Sequence, residues 1–592
     1  MCGIIGYLST GPGVSKKIIH NLKKLEYRGY DSSGICLLKN TKFFLKKSVG
    51  EIQNLEQKLK FDDNCTLGIA HTRWATHGKV SLKNTHPHLN QDHSWVVVHN
   101  GIIENYLELK SYLESHGITL SSETDTEIIP NLMATYDNAD NIEKLKQVTC
   151  MLRGSYAICL LHKGEQAIYV ARRHSPLYIA QNKTSCMVSS DPVTFGEDFD
   201  SYYALPDDCL AKVDLKDILV YDSNLNKINI RPCEIGSFEK SAELGKYNYY
   251  AEKEISEIPK VIEEILLNYN TVDHFKKINK EFMKNIKKIK LIGCGTAYHA
   301  CLMGAKYIQK DAQIEAQAEI ASEFRYSNPL IDQETLCIFL SQSGETADTL
   351  LSLELAKNMG AKTIAIVNVP YSSIARQADI VLPLCAGMEV AVMSTKAYNA
   401  MLTVLKLLSQ HFRWLDGKPK NVDFSKLKKV NYFKSIDKID EISDLVLKHE
   451  KIFFIGRAED YVTALEAGLK LKEITYINCV SIPSGELKHG TLSLVDQKSL
   501  VFVIATDPDL IAKNLSSASE IKARGGKIVL VTNLDVKACE DIDYLYKFDK
   551  TEQALSSLLS VIPFQVLSYK ACVKLGFSPD KPRNLAKSVT VE

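Results

Sequence analysis

The second residue of the chain is a cysteine, set in Met1-Cys2-Gly3-Ile4-Ile5-Gly6. A small residue at position 2 lets the initiator methionine be removed, leaving Cys2 with a thiol and a free α-amine. Such an amine titrates near about 7.7–8, so it accepts a proton at neutral pH without a histidine. A nucleophile that carries its own general base points to acyl transfer through a thioester. That chemistry needs a carboxylate clamp, an ammonium clamp and oxyanion donors. Ala70-His71-Thr72-Arg73-Trp74-Ala75-Thr76-His77-Gly78 follows a short apolar strand and offers a guanidinium, the natural bidentate partner of an amino-acid carboxylate. Val96-Val97-Val98-His99-Asn100-Gly101 is expected to end a strand with a side-chain amide and a flexible backbone N–H, both suited to a developing oxyanion. Ser122-Glu123-Thr124-Asp125-Thr126-Glu127 opens an expected helix and could supply a carboxylate for an α-ammonium; a helix cap uses the same residues.

A second set of chemical residues lies far downstream. The apolar run Leu336–Leu340 leads into Ser341-Gln342-Ser343-Gly344-Glu345-Thr346, and a helix is expected to follow. Hydroxyls and a glycine at a strand end present backbone N–H groups and a positive helix end to an anion. Gly293-Cys294-Gly295-Thr296 opens the preceding helix in the same way; ordinary turn and cap chemistry uses these residue types too. Glu466, Lys470 and Glu473 fall on one helix face, with Leu465, Leu469 and Ile474 pointing elsewhere; a solvated charged face has the same spacing. Gly485-Glu486-Leu487-Lys488-His489-Gly490 places a histidine between glycines, and Lys587 stands in the C-terminal Pro582–Ser588 segment. The histidines at 71, 77, 86, 88, 93 and 99 have no Cys or second His at a usual zinc spacing, so no metal is expected.

The chain that must position these groups has 592 residues, too many for one core. Its 72 Lys+Arg against 71 Asp+Glu argue against a nucleic-acid partner or an acidic membrane surface. The N-terminus has no secretory pattern, and no apolar run approaches the roughly 18 residues of a membrane helix. Fifteen cysteines without regular spacing read as reduced thiols, so a cytoplasmic protein is expected. To about residue 238 the chain shows short β-like runs: Ile4–Leu8, Gly34–Leu38, Leu67–Ala70, Trp95–Val98, Ser155–Leu161, Ala167–Ala171 and Leu210–Val213. Helices are expected near 14–25, 104–116 and 125–136, giving a strand-rich α+β domain.

From about residue 250, helical stretches alternate with wholly apolar runs, as in parallel sheets buried on both faces. This half repeats itself. Lys290-Leu291-Ile292-Gly293 matches Phe453-Phe454-Ile455-Gly456, offset by 163 (456 less 293), and Ser322–Tyr326 matches Gly485–His489 at the same offset. Phe339-Leu340-Ser341 matches Val503-Ile504-Ala505, offset by 164, and Gly360–Asn368 matches Gly525–Asn533, offset by 165. Two similar α/β units follow from this. In the second, Ala505-Thr506-Asp507-Pro508-Asp509-Leu510 replaces the hydroxyl loop; two aspartates and a proline there repel an anion and remove a donor.

Taken together these motifs resemble the glutamine–fructose-6-phosphate aminotransferase (isomerising) family, from Cys2 to Ser588-Val589-Thr590-Val591-Glu592. The resemblance implies an N-terminal-nucleophile αββα sandwich over 2–238, a linker at 239–249, sugar isomerase (SIS) domains over 250–425 and 426–581, and an active-site tail over 582–592. It implies glutamine and fructose 6-phosphate as substrates, no cofactor, and a homodimer with a shared isomerase site. Arg73 and Asp125 would bind glutamine, with Thr76 and His77 lining the site and Arg28 supporting it. Asn100 and Gly101 would form the oxyanion hole, and Trp74 would gate ammonia. Ser341, Gln342, Ser343, Thr346, Thr296, Glu466, Lys470 and Ala586 would hold the sugar phosphate. Lys587 would form a Schiff base, Glu473 would move a proton between C1 and C2, and His489, from the neighbouring subunit, would assist ring opening. Ala297 stands where many relatives carry serine, and Thr491 where proline is common. A different class II amidotransferase and a non-catalytic sugar-phosphate sensor are the rival readings; the duplicated half speaks against the first, and the Glu473, His489 and Lys587 set against the second.

Overall fold

The computed structural model describes residues 2–59, 64–74, 78–136, 140–196, 198–235, 244–536 and 540–590. Residues 239–243 of the expected linker lie outside them. Two compact units emerge: Met1–Ser241 together with Ala586–Glu592, and Ala242–Leu585.

In the first unit the period-two alternation of the strands decides the layering. Along Trp95–Ile103, Val96 and Val98 face a layer shared with Ile4, Leu8, Leu67, Ile69, Ile168 and Val170. Trp95 and Val97 face the other way, onto Ile128, Leu132 and Leu145 of the flanking helices. Ile5 and Tyr7 pack outward on Ile18 and Leu22 of the helix Val14–Lys23. One antiparallel sheet has eight strands and the other seven, so the order of layers is helix, sheet, sheet, helix. The strand Gly3–Ser9 lies inside the eight-stranded sheet, between Leu67–Arg73 and Ser185–Ser189. Trp95–Ile103 runs past the end expected for it: Asn100 and Gly101 sit within the ladder, opposite Ala157 and Tyr156. The strand Lys42–Val49 gives a weak signal in the sequence because it lies at the sheet edge, where Lys42 and Lys46 stay solvated and the apolar alternation is broken.

The second unit carries two five-stranded sheets. The first runs Glu315–Ile320, Lys288–Gly293, Thr335–Ser341, Lys362–Val367, Ile380–Pro383, all parallel. The second repeats that order with Cys479–Pro483, Lys451–Gly456, Ser499–Ile504, Lys527–Thr532 and Tyr544–Lys547. The duplication read from matched sequence blocks is thus a duplication of topology. The copies share an inner core in which Leu291, Ile338 and Leu405 join Phe454, Phe502 and Phe564. By length and composition alone, Gln553–Lys574 could cross a membrane, contrary to the expectation that no such run exists. Its apolar window is 89% buried inside the protein, where Phe564 meets Phe454 and Phe502 edge-on; it is core, not a span.

Candidate active sites

Strand register places the first site. Gly3 lies opposite Thr72, which brings Cys2 beside Arg73 and Trp74. Trp74 N–H donates to Cys2 Sγ at 3.2 Å. Burial pushes the Cys2 thiol up, opposed by the amino-terminal charge, the Trp74 N–H and Arg73. Asn100 Nδ2 donates to the Cys2 carbonyl at 2.9 Å. Gly101 has φ +133, and a Cβ there would lie 2.0 Å from the Ser155 carbonyl oxygen, so only glycine places its backbone here. Arg73 is buried at 3% exposure and Asp125 at 5%. Burial lowers the Arg73 guanidinium, while Cys2, Asp31 and Asp125 pull it the other way. Asp125 Oδ2 accepts from Ile103 N–H at 2.8 Å. Glu127 accepts from the backbone N–H groups of Ser121 and Ser122, which ties the preceding loop to the helix start, and neither helical turn here carries a side-chain cap. Trp74 packs edge-on against Tyr30 at 5.7 Å. Arg28 pairs with Asp191 and donates to Tyr27 Oη at 3.2 Å. The preceding Ser190 accepts Ile4 N–H on its hydroxyl at 3.0 Å, so Arg28 braces the strand that carries Cys2. Thr76 and His77 lie outside the described residues.

The second site begins at the end of the strand Thr335–Ser341. Ser341 Oγ accepts from Gly344 N–H at 2.9 Å and lies 3.0 Å from Thr346 Oγ1; Glu345 N–H donates to Ser343 Oγ at 3.2 Å. Gly344 has φ +66, and a Cβ would lie 1.9 Å from Ser372 Oγ. Gln342 is fixed through its carbonyl, which accepts from Asn368 N–H at 3.2 Å. The loop therefore gathers hydroxyls at the carboxyl end of a parallel strand, where ligands of such sheets bind.

On the helix Glu459–Thr475 the expected solvated face is inverted. Glu466 and Lys470 are 0% and 1% exposed, whereas Leu465 and Leu469 are only partly buried. Lys470 Nζ lies 3.4 Å from Glu466 and 2.7 Å from Glu473. Thr296 Oγ1 donates to Glu466 at 3.1 Å and accepts from Lys470 at 2.9 Å. Burial alone would discharge this pair, but mutual attraction wins: Lys470 is raised by Glu466 and Glu473, and Glu466 is lowered by Lys470 and His299. His299 Nδ1 lies 2.6 Å from Glu466 Oε2. Sequence reading passed over His299; its one signal is the i, i+3 spacing from Thr296 on the helix Gly295–Ala312. His489 is exposed in the turn Glu486–His489. Ala586 and Lys587, both partly exposed, group with the first unit.

The equivalent loop of the second copy is built differently. Ile292 lies opposite Phe339 and Ile455 opposite Val503, so Thr506 corresponds to Gln342. Gly295 and Ala458 share a positive φ, 53 and 52, and Ala297 and Asp460 pack on the equivalent Gly293 and Gly456, so Asp460 corresponds to Ala297. Asp460 accepts from Thr506 N–H at 2.9 Å and from Thr506 Oγ1 at 2.7 Å. Its carboxylate is 2% exposed, and burial pushes it up to about 6 despite those bonds.

Residues 71–196 match the glutamine amidotransferase domain model, and residues 282–409 and 445–575 each match the SIS domain model. The class is thereby an amidotransferase followed by a pair of SIS domains. Glutamine–fructose-6-phosphate aminotransferase [isomerizing] of Clostridium tetani is 40% identical over 614 residues, and that of Caldanaerobacter subterraneus 41%, both covering 100% of each chain. The C-terminal domain of glucosamine-fructose-6-phosphate aminotransferase from Francisella tularensis superposes with TM-score 0.54 at 34% identity, covering 58% of this chain and 100% of that one. The chain belongs to the glutamine–fructose-6-phosphate aminotransferase (isomerizing) family.

Proposed function

We propose that this enzyme makes glucosamine 6-phosphate from glutamine and fructose 6-phosphate, through the residue roles that follow. With Met1 removed, the Cys2 α-amine takes the thiol proton and the thiolate attacks the side-chain amide carbon of glutamine. Asn100 Nδ2 and Gly101 N–H stabilise the oxyanion, the α-ammonium returns its proton to the amide nitrogen so that ammonia leaves, and water hydrolyses the thioester to glutamate, freeing the thiol. Arg73 holds the α-carboxylate and Asp125 the α-ammonium of glutamine; Thr76 and His77 line the site, and Trp74 gates ammonia. Ser341, Gln342, Ser343, Thr346, Thr296, Glu466, Lys470 and Ala586 hold the sugar phosphate; Lys587 forms a Schiff base with the keto carbon, releasing water, and ammonia then displaces the lysine amine from that carbon. His489 of a second subunit assists ring opening, and Glu473 carries a proton from C1 to C2 once ammonia has added. A cytoplasmic homodimer with the domain divisions expected from the sequence completes the reading.

The observation that carries it is the Asn100 amide, 2.9 Å from the Cys2 carbonyl and aimed at the same residue as the Trp74 N–H. The test is a coupled assay of glucosamine 6-phosphate formation on Cys2→Ala and Lys587→Arg proteins. Both are expected to lose glutamine-dependent synthesis, with Lys587→Arg retaining glutamine hydrolysis. Full synthesis by either variant removes the role assigned to that residue.

A further inference from the structure

An asparagine serves an oxyanion only when its amide faces the right way, and the two ends of an amide have nearly the same shape. At Asn100 the choice is made from inside. Nδ2 donates to the Cys2 carbonyl, while Oδ1 lies 3.0 Å from His71 Nε2. The same Nε2 lies 3.1 Å from the His99 carbonyl oxygen. A ring nitrogen that faces two acceptors bears the proton. His71 Nε2–H therefore donates to Asn100 Oδ1, and the second Nδ2 hydrogen is left for a ligand. Turning the amide over would oppose N–H to N–H at His71 and oxygen to oxygen at Cys2.

The imidazole is itself held. His71 lies on the strand Leu67–Arg73, two residues before Arg73, and is fully buried. It stacks on His86 with ring centroids 4.1 Å apart and planes 18° from parallel. His86 Nδ1 accepts from His99 N–H at 3.4 Å, so its own proton sits on Nε2, 3.3 Å from Thr126 Oγ1. Burial, with Arg73 and His99 nearby, keeps His71 down at about 3 even though its bonds to Asn100 and the His99 carbonyl oppose this. It is a neutral donor across the working pH range. Sequence reading weighed this histidine only as a metal ligand.

We propose that His71 is a positioning residue for glutamine hydrolysis: its Nε2–H orients the Asn100 amide so that Nδ2 meets the oxyanion. This rests on the reading of Asn100 as an oxyanion donor. The imidazole is fully buried and acts through the Asn100 amide that it faces.

The experiment is a double-mutant cycle on the full chain, reading steady-state glutamine hydrolysis, with iodoacetamide alkylation of Cys2 as the measure of an intact nucleophile. Asn100→Ala is expected to lower kcat about 100-fold, the usual cost of an oxyanion donor. His71→Phe is expected to lower kcat about 10- to 100-fold, with KM for glutamine and the alkylation rate within about threefold of the unaltered protein. His71→Gln, which restores an N–H at similar reach, should recover at least about fivefold over the Phe variant. In the Asn100→Ala background, His71→Phe should cost less than about twofold more. If the Phe variant loses alkylation, His71→Asn, polar but too short to reach, takes its place in the cycle. Additive losses, a rise in KM alone, or equal loss in the Gln and Phe (or Asn) variants overturns the positioning role while leaving Asn100 in place. An Asn100→Ala protein with full kcat overturns the oxyanion reading and this inference with it.

Discussion

The two SIS copies share a strand order and a residue of positive φ after their first core strand, and they differ at the position two residues beyond it. In the first copy that residue is Ala297, and the strand-end loop is a set of hydroxyls braced by one another and by Gly344. In the second it is Asp460, and its carboxylate occupies the N–H and hydroxyl of Thr506. The duplicated fold has supplied one cradle with an internal anion and left a methyl group in the other. The sequence reading laid the loss of anion binding on Asp507 and Asp509. Asp509 is exposed, however, and the group that satisfies the loop comes from a helix 46 residues earlier.

The sharpest way to break this contrast is to move the plug. Ala297→Asp should raise KM for fructose 6-phosphate by about 100-fold or more, because a carboxylate at the loop repels phosphate and takes its donors. Glutamine hydrolysis without sugar serves as the internal control; a KM within threefold of normal would dissolve the correspondence between the copies. Next in size, Ser341→Ala removes the acceptor of Gly344 N–H and should raise the same KM about 10-fold, the cost of one unsatisfied buried donor. No change would mean the loop is held from elsewhere.

Smaller still is the pH response of Asp460. Its folded value, about 6, lies above the ordinary 3.8, so the folded state holds the extra proton between those limits and stability falls as pH rises through that window. Between pH 7 and pH 5 the unaltered protein should gain roughly 1 kcal/mol relative to Asp460→Asn, which lacks this titration. Denaturant melts of both proteins at both pH values measure it, and a gain of opposite sign would show that the Thr506 bonds outweigh burial. Smallest of all, Asp509→Ala should change stability by no more than about 0.5 kcal/mol and confer no phosphate affinity on the second copy; measurable phosphate binding would return the blame to the loop.

What could be read from the sequence follows from which signals are local. Apolar runs fix strands, and matched blocks at a nearly constant offset revealed the repeated sheet, because both are patterns along the chain. Cys2, Arg73, Asn100 and Asp125 stand in short motifs whose residue types drew attention, and the structure brings them close to one another. Burial on a helix was not. Glu466 and Lys470 lie on the covered face and Leu465 and Leu469 on the more open one, since two neighbours, Thr296 and His299, arrive from a helix some 170 residues away. The His71–Asn100 and Asp460–Thr506 pairs were hidden for the same reason: hydrogen bonds between separate strands and loops leave no spacing to count.

The position of the strand Gly3–Ser9 has a consequence for the order of events during synthesis. Its partners are Leu67–Arg73 on one side and Ser185–Ser189 on the other, so the first residues made wait for a segment some 180 residues later before their sheet closes. Pairings of such sequence separation form late and set the folding rate, and domains mature from the N-terminus as the chain emerges. Cys2 is thus among the first residues translated and among the last to be seated. A ribosome-bound chain cut short of Ser189 should carry a Cys2 that alkylates like a free thiol, and the glutaminase would be switched on by completion of its own sheet.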